Sequence, residues 1–141
     1  MNQRKHLPLI LIVENDPRVR RLTREWIQHT DLQCRFAEAA DSKEAFAQVR
    51  HEVPDLILMD ISMPFVDGIE ATRVIHRIEP QVPVVMLTIH EEDLYKEEAL
   101  KAGASAYVNK RDMTTRLIPV IRSFLSQNSV NVSASPASAN I

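Results

Sequence analysis

Short apolar runs alternate along the chain with segments whose apolar residues recur at helical spacing. The clearest runs cover residues 9–13 and 56–59, and further strand-like stretches cover 33–37, 82–87 and 104–108. A short apolar run bounded by turn residues is typical of a strand buried in a parallel sheet. Alternation of such strands with helices indicates βαβ units, so the pattern predicts an α/β fold.

Cap residues mark where the first two helices begin. Asp16 followed by Pro17 is a helix N-cap with a proline at the first helical position, and the helix 1 pattern that follows ends near His29. Asp41 and Glu44 have the spacing of a capping box, which starts helix 2. The residues expected on the buried faces of these helices are Val19, Leu22, Thr23 and Trp26 in helix 1 and Ala45, Phe46 and Val49 in helix 2.

The next two helices follow from the spacing of apolar residues. Helix 3 is predicted around residues 69–78, and helix 4 from Glu91 to Ala102. Gly103 suits the left-handed conformation that ends many helices, so it is expected to stop helix 4. The markers are Ile69, Thr72, Val74, Ile75 and Ile78 in helix 3, and Leu94, Ala99 and Leu100 on the inner face of helix 4.

A proline complicates the last helix. Pro119 would cost roughly 3 kcal/mol in the middle of a helix but little in the first turn, where its missing donor is not needed. Helix 5 is therefore predicted to begin late, with Thr115 as its N-cap, and to end near Gln127. Residues 128–141 carry no charge and are mostly small and polar, which is typical of a tail or linker. The prediction is one domain over residues 7–127, followed by a flexible tail or interdomain linker.

Composition and charge narrow the class of protein. The chain has 141 residues, of which 45% are hydrophobic and 26% charged, as in a soluble domain with a sizeable core. A net charge of −2 favours neither nucleic acid nor a membrane surface, and no apolar stretch approaches transmembrane length. The single cysteine, Cys34, cannot form an internal disulfide and is expected to be a small core residue. We therefore expect a cytoplasmic chain that does not itself bind nucleic acid or a membrane.

Polar residues of different chemistry follow four of the strands. Glu14 and Asn15 come after the first strand, and Asp60 comes after the third. Thr88 follows the fourth, and Lys110 follows the fifth. The carboxyl ends of parallel strands meet at one edge of a sheet, where α/β proteins bind their ligands. Each residue alone also has a structural explanation, as a cap, loop or surface residue, but their joint spacing predicts one polar cluster at this edge.

This ordered set resembles the receiver domain of two-component response regulators. The resemblance covers residues 7–127 and rests on Asp60, Thr88, Lys110, the pair Glu14 and Asn15, and the aromatic residue Tyr107. It implies a flavodoxin-like, doubly wound sheet of five parallel strands in the order 2-1-3-4-5. It also implies a signalling domain that accepts a phosphoryl group from a sensor histidine kinase or a phosphotransfer protein.

The resemblance also assigns a metal site. Asp60 would be the phosphoacceptor and a ligand of Mg²⁺. Asn15 would bind the ion through its side-chain oxygen, Glu14 through a water, and Ser62 through its backbone carbonyl. Mg²⁺ suits such a site because it takes one or two carboxylates and bridges to phosphoryl oxygens.

The remaining residues would act on the phosphoryl group and the switch. A carboxylate can attack phosphorus to give an acyl phosphate, and the charge on the phosphoryl oxygens then needs cations and donors nearby. By resemblance, Lys110 supplies the cation and Thr88 the hydroxyl. Tyr107 would turn inward when Thr88 moves towards the phosphoryl group, and this would change the surface made by helix 4, strand 5 and helix 5.

Three positions depart from the usual pattern of the family. Asn15 replaces the usual Asp, which removes one negative charge and should weaken Mg²⁺ binding. Ile89 replaces a small residue and is expected to narrow access to Asp60 and to crowd the space near Thr88. Arg111 follows Lys110 where proline is frequent, as in receivers attached to tetrahelical helix-turn-helix output domains.

Other functions remain open at this stage. An aspartate-nucleophile phosphatase needs a second Asp where this chain has Ser62, so we expect a switch domain rather than a turnover enzyme. A flavin-binding protein needs a phosphate loop after strand 1, where the acidic Glu14 and Asp16 would repel phosphate. A degenerate receiver that binds a partner without phosphorylation is the main alternative. A role in transcription regulation and homodimerisation are both compatible with the resemblance.

Overall fold

Five parallel strands form one sheet across the middle of the molecule. The computed structural model describes residues 7–90 and 92–133. In chain order the strands are β1 (Leu9–Val13), β2 (Arg35–Ala39), β3 (Leu56–Asp60), β4 (Val84–Thr88) and β5 (Ala106–Asn109). Their order across the sheet is β2-β1-β3-β4-β5, so the predicted flavodoxin-like α/β fold with strand order 2-1-3-4-5 is confirmed.

Helices follow each strand. They are α1 (Pro17–Gln28), α2 (Ser42–His51), α3 (Gly68–Ile78), α4 (Asp93–Lys101) and α5 (Met113–Ser133). A short 3₁₀ turn, Lys110–Asp112, leads from β5 into α5. Within the described ranges, no helix is long and apolar enough to cross a membrane.

The core has two layers, one on each face of the sheet. β1, β3 and β4 are buried along their whole length, and alternate residues of a strand point to opposite faces. Ile57 packs in the layer under α2, α3 and α4, whereas its neighbour Leu58 packs in the layer under α1 and α5. This division of the helices is the one that right-handed crossovers produce. Cys34 packs against the second layer, and burial raises the pKa of its thiol to about 11, in keeping with a structural cysteine.

The predicted caps of the first two helices are confirmed. The Asp16 carboxylate accepts a hydrogen bond from the backbone N–H of Arg18 at the start of α1. The Asp41 carboxylate accepts one from the N–H of Glu44 at the start of α2. The Glu44 carboxylate reaches back to the N–H of Ala40, one residue before the cap, rather than to the cap residue itself.

Strand boundaries differ from the predictions by two residues in three places. β2 covers Arg35–Ala39 rather than 33–37, β4 begins at Val84, and β5 begins at Ala106. Just before β4, Pro83 has no N–H to donate to the ladder, although its carbonyl still accepts a hydrogen bond of 3.0 Å from the N–H of Ile57.

The predicted buried faces of helices 1 and 4 are partly wrong. In α1, Leu22 is exposed and Ile27 is fully buried. In α4, Leu94 and Leu100 are exposed, and Ala99 is the buried residue. The predicted first residue of helix 4, at position 91, lies outside the described residues.

The late start predicted for helix 5 is wrong. α5 begins at Met113, and Pro119 lies inside the helix. The Thr115 hydroxyl donates to the carbonyl of Asp112 and therefore does not act as an N-cap acceptor. Pro119 is exposed, whereas the fully buried Leu117 lies on the face that packs on the sheet. The packing of this face stabilises the helix despite the proline.

The predicted end of helix 5 is also wrong. α5 continues past Gln127 to Ser133, so residues 128–133 are helical rather than a flexible tail. The rest of the predicted tail, residues 134–141, lies outside the described residues. The domain limit of 7–127 stays a prediction.

A close contact attaches the start of α3 to the end of β3. The N–H of Gly68 donates to the carbonyl oxygen of Ile61 at 2.8 Å. A Cβ on Gly68 would lie 2.0 Å from the carbonyl oxygen of Asp60 and 2.8 Å from the Cα of Ile61. These are backbone atoms at the end of a buried strand and cannot move aside easily. Glycine is therefore required for α3 to begin directly beside Asp60.

Replacing this glycine should destabilise the fold. We expect Gly68→Ala to lower the free energy of unfolding by about 3 kcal/mol, because an added methyl group overpacks a rigid site. Urea denaturation measures the change. The control is Arg77→Ala on the exposed side of the same helix, for which we expect a change within about 0.5 kcal/mol. A loss below 1 kcal/mol for Gly68→Ala would show that α3 can shift to accommodate a side chain.

Candidate functional site

Four polar residues lie at the carboxyl edge of the sheet. Glu14 follows β1, Asp60 ends β3, Thr88 ends β4, and Lys110 follows β5. Glu14 and Asp60 are each only 7% exposed, and Thr88 is fully buried. The edge lies beside the central strands β1, β3 and β4, whose burial removes water from one side of the cluster.

The ammonium of Lys110 links the two carboxylates. Its Nζ lies 2.8 Å from Oε1 of Glu14 and 3.6 Å from Oδ1 of Asp60. The Lys110 side chain is 20% exposed, so its charge is also partly shielded from water. One positive charge thus faces two negative charges in a site with little solvent.

Local hydrogen bonds hold Glu14 in position. Its backbone N–H donates to the carbonyl of Ala39 in β2, and its own carbonyl accepts a hydrogen bond of 2.6 Å from Nη1 of Arg20. Its Oε2 accepts a hydrogen bond of 3.1 Å from the N–H of Asp16 at the cap of α1. The remaining carboxylate oxygen is the one that contacts Lys110. Glu14 is therefore fixed by the same loop that starts α1.

Burial changes the acidity of Asp60. Its pKa is raised to about 6, first because the carboxylate is buried and second because the charge of Glu14 is close. Lys110 and the N–H of Ser62, which donates to Oδ1 at 3.3 Å, act in the opposite direction. At neutral pH the carboxylate is thus mostly ionised, at an energetic cost to the folded state.

Thr88 and Tyr107 are connected through the loop that follows β4. The Thr88 hydroxyl accepts a hydrogen bond of 2.9 Å from the N–H of His90. The Tyr107 hydroxyl donates to the carbonyl of the same residue at 3.0 Å. Burial raises the pKa of the Tyr107 phenol. Tyr107 is partly buried and packs against the core in this structure.

Asn15 and Ile89 lie at the rim rather than inside the cluster. Asn15 is exposed, and its side-chain N–H donates to the carbonyl of Ala40 at 3.4 Å. Ile89 is 71% exposed, so the prediction that it crowds the buried space near Thr88 is wrong.

The donor set suits one hard divalent cation. Two nearly buried carboxylates, from Glu14 and Asp60, exceed the single charge of Lys110, and this imbalance favours a further positive charge. In the described ranges, no group of three or more His, Cys, Asp or Glu side chains is placed to hold a metal. An ion here would therefore need additional oxygen ligands, such as an amide or a backbone carbonyl.

The contacts of His90 were not predicted from the sequence. Its side chain is only 27% exposed; the ring nitrogen Nε2 lies 3.1 Å from the Ser62 hydroxyl, and the ring stacks on Tyr95 with centroids 4.3 Å apart. The available signal was its position, two residues after Thr88, in a loop at the same sheet edge as Asp60. Nothing in the residue types alone predicts that the ring turns back towards Ser62.

The chain is similar in sequence to known regulatory proteins. The chain is 34% identical over 114 residues to the response regulator GacA of Pseudomonas viridiflava, which covers 80% of this chain and 53% of GacA. It is 41% identical over 86 residues to the transcriptional regulatory protein DegU of Brevibacillus brevis, with 61% of this chain and 36% of DegU covered. The chain thus spans about half, or less, of the length of these curated relatives.

A solved structure and a family model extend the comparison. A two-component response regulator of the LuxR family from Aurantimonas sp. SI85-9A1 superposes with a TM-score of 0.80 at 33% identity, covering 86% of each chain. The family model for the response regulator receiver domain matches residues 10–122, which include every residue of the cluster. This chain belongs to the response regulator receiver domain family of two-component systems.

Proposed function

We propose that this chain is a phosphorylation-dependent receiver in which Asp60 accepts a phosphoryl group from a sensor histidine kinase or a phosphotransfer protein. The observation that carries the proposal is the position of Asp60, which lies nearly buried at the end of β3 with Lys110 3.6 Å from its Oδ1. Receivers are signalling switches, so the domain would signal whether it is phosphorylated rather than convert a substrate in repeated cycles. This role agrees with the absence of an acid at Ser62 that would promote rapid turnover.

The charges around Asp60 support a nucleophilic role. The carboxylate is mostly ionised at neutral pH, because its pKa is about 6, and it can attack phosphorus to form an acyl phosphate. Lys110 lies where it neutralises charge on the transferred group, since its Nζ already contacts the same carboxylate. Thr88, at the end of the adjacent strand, would supply a hydroxyl to the same group.

Mg²⁺ is the cofactor that fits this cluster. Glu14 and Asp60 would hold it together with the side-chain oxygen of Asn15 and the backbone carbonyl of Ser62. Bound there, the ion would neutralise part of the phosphoryl charge. Because Asn15 is exposed and neutral, its contribution to the affinity is smaller than that of an aspartate.

The switch would act through Thr88 and Tyr107. Phosphorylation adds about two negative charges at Asp60 and draws the Thr88 hydroxyl towards them. The Thr88 hydroxyl accepts a hydrogen bond from the N–H of His90, and the carbonyl of His90 accepts one from the Tyr107 hydroxyl. A movement of Thr88 would therefore displace His90 and, through it, Tyr107. The surface of α4, β5 and α5, with exposed Leu94 and Leu100 on α4, would report the change to an output domain or partner.

The relatives suggest the wider setting. DegU is a transcriptional regulatory protein, and the chain covers only part of its length. A role in transcription regulation in the cytoplasm follows by analogy, with DNA contacted by a different domain rather than by this receiver.

The first test is the site of phosphorylation. Treatment with acetyl phosphate and Mg²⁺ should add one phosphoryl group to the wild type, and Asp60→Asn should abolish it. Intact-mass spectrometry measures the product. The control is Asp55→Asn, at the opposite end of β3, which should still be phosphorylated because the Asp55 carboxylate lies away from the site and accepts a hydrogen bond from the N–H of Leu9. A phosphorylated Asp60→Asn protein would refute the assignment, and a wild type that stays unmodified would favour the phosphorylation-independent binding module.

The second test concerns the metal. Asn15→Asp restores a negative charge and should tighten Mg²⁺ binding roughly tenfold, equivalent to about 1.4 kcal/mol. Titration calorimetry measures the affinity. Gln81→Glu adds the same charge ahead of β4, away from the site, and should change the affinity little. Equal affinities of wild type and Asn15→Asp would show that Asn15 is not a ligand.

The third test uses the raised pKa of Asp60. The folded protein holds a proton on Asp60 more tightly than the unfolded chain, so stability is lost as the pH rises from about 4 through 6. Asp60→Asn removes this loss and should be more stable than the wild type at pH 7.5 by roughly 2–3 kcal/mol, with a smaller difference at pH 4.5. Urea denaturation at the two pH values measures both. A stability difference that does not depend on pH would mean that the charge of Asp60 is not the cause.

A further inference from the structure

His90 contacts four parts of the structure at once. Its backbone N–H donates to Thr88, and its carbonyl accepts from Tyr107. Its ring nitrogen Nε2 is 3.1 Å from Oγ of Ser62, and the ring stacks on Tyr95 with an interplanar angle of 26°. The backbone thus joins β4 to β5, while the side chain joins the loop after Asp60 to α4.

α4 is weakly attached elsewhere. Its N-cap, Glu92, makes no side-chain capping hydrogen bond, and within Asp93–Lys101 only Ala99 is buried. Leu94 and Leu100 are exposed, so the apolar packing that holds most helices is reduced here. Tyr95 is partly buried against the core, and its stack on His90 is a contact that joins the first turn of α4 to the loop after β4.

The Ser62 contact gives this stack a connection to the phosphoacceptor. Ser62 is two residues after Asp60, and its backbone N–H donates to Oδ1 of Asp60 at 3.3 Å. A change at the Asp60 carboxylate therefore reaches Ser62 through one hydrogen bond, and reaches the His90 ring through a second. A hydroxyl and an imidazole nitrogen form this bond with either partner as the donor, so the link works with a neutral ring.

We propose that His90 is a positioning residue whose ring couples Ser62, beside the phosphoacceptor, to Tyr95 in α4. The signal it carries rests on the proposed phosphorylation of Asp60, but the link itself exists in the unphosphorylated chain. It is separate from the Thr88 and Tyr107 route, because that route uses the backbone of His90 and this one uses its ring. Two connections thus converge on α4 and β5 from the same loop.

The test separates the two contacts of the ring. His90→Phe keeps a ring to stack on Tyr95 but cannot bond Ser62, whereas His90→Gln keeps a polar group within reach of Ser62 but loses the stack. Ser62→Ala is made in the wild type and in His90→Phe. The control is His51→Phe, an exposed histidine on α2.

Amide hydrogen exchange of the unphosphorylated proteins gives the readout. The N–H of Tyr95 donates to the carbonyl of Glu92 in the first turn of α4, so its exchange reports that turn. Exchange of Val85, in the middle of β4, reports global stability and corrects for any general destabilisation.

We expect a specific pattern at Tyr95. His90→Gln should speed exchange about two- to tenfold, the range expected for loss of an aromatic stack. His90→Phe keeps the stack but loses the Ser62 contact, so it should speed exchange as much as Ser62→Ala does. His51→Phe should stay within about twofold of the wild type. Ser62→Ala should speed exchange in the wild type and have no further effect in His90→Phe. An equal effect of Ser62→Ala in both backgrounds, or wild-type exchange in His90→Gln, would overturn the proposal.

A second arm distinguishes failure of this link from failure of the proposed function. Beryllofluoride with Mg²⁺ serves as the probe for the phosphorylated state, and NMR shifts of Tyr95 and Tyr107 are followed. In His90→Phe the shift at Tyr95 should fall by at least half while that at Tyr107 remains, and Thr88→Ala should give the reverse. Full retention of the Tyr95 shift in His90→Phe would overturn the coupling role. A wild type that does not respond at all would contradict the proposed function, while the exchange data would still decide whether the His90 link exists.

Discussion

The whole site depends on one buried imbalance of charge. A single ammonium group, from Lys110, lies beside the two carboxylates of Glu14 and Asp60, which are almost fully buried. The imbalance arises because three buried strands end at the same edge of the sheet. Its energetic cost to the folded protein is seen in the raised pKa of the Asp60 carboxylate. A site built in this way attracts positive charge, and under the proposed function its carboxylate would attack phosphorus. The reactivity proposed for Asp60 and its cost to the stability of the folded protein therefore have the same cause, the burial of its charge.

Most of the fold follows from local rules that the sequence carries plainly. The buried strands β1 and β3 are short apolar runs that end in acidic residues, and the caps Asp16 and Asp41 mark helix starts where the structure has them. The strand order then follows from the family resemblance and the handedness of crossovers. The cluster of Glu14, Asp60, Thr88 and Lys110 was predictable for the same reason, since all four residues lie just at or after strand ends.

The errors occur where tertiary contacts override local patterns. Leu94 and Leu100 look like core residues, but α4 packs on the sheet through the small Ala99 and leaves both leucines in solvent. Pro119 is typical of the first turn of a helix, but α5 continues through it because residues on both sides of the proline are buried against the sheet. His90 has no pattern of its own, and its position depends on partners from two other segments, Ser62 and Tyr95.

The contact of Gly68 with the backbone of Asp60 has a mechanical consequence. Because the first turn of α3 rests directly on the end of β3, with no side chain between them, strand and helix form one rigid block. The less tightly held segments lie on the other side of the site. They are the loop after β4 and the loosely packed α4. A displacement that starts at the end of β3 therefore meets more resistance towards α3 than towards the loop after β4 and α4.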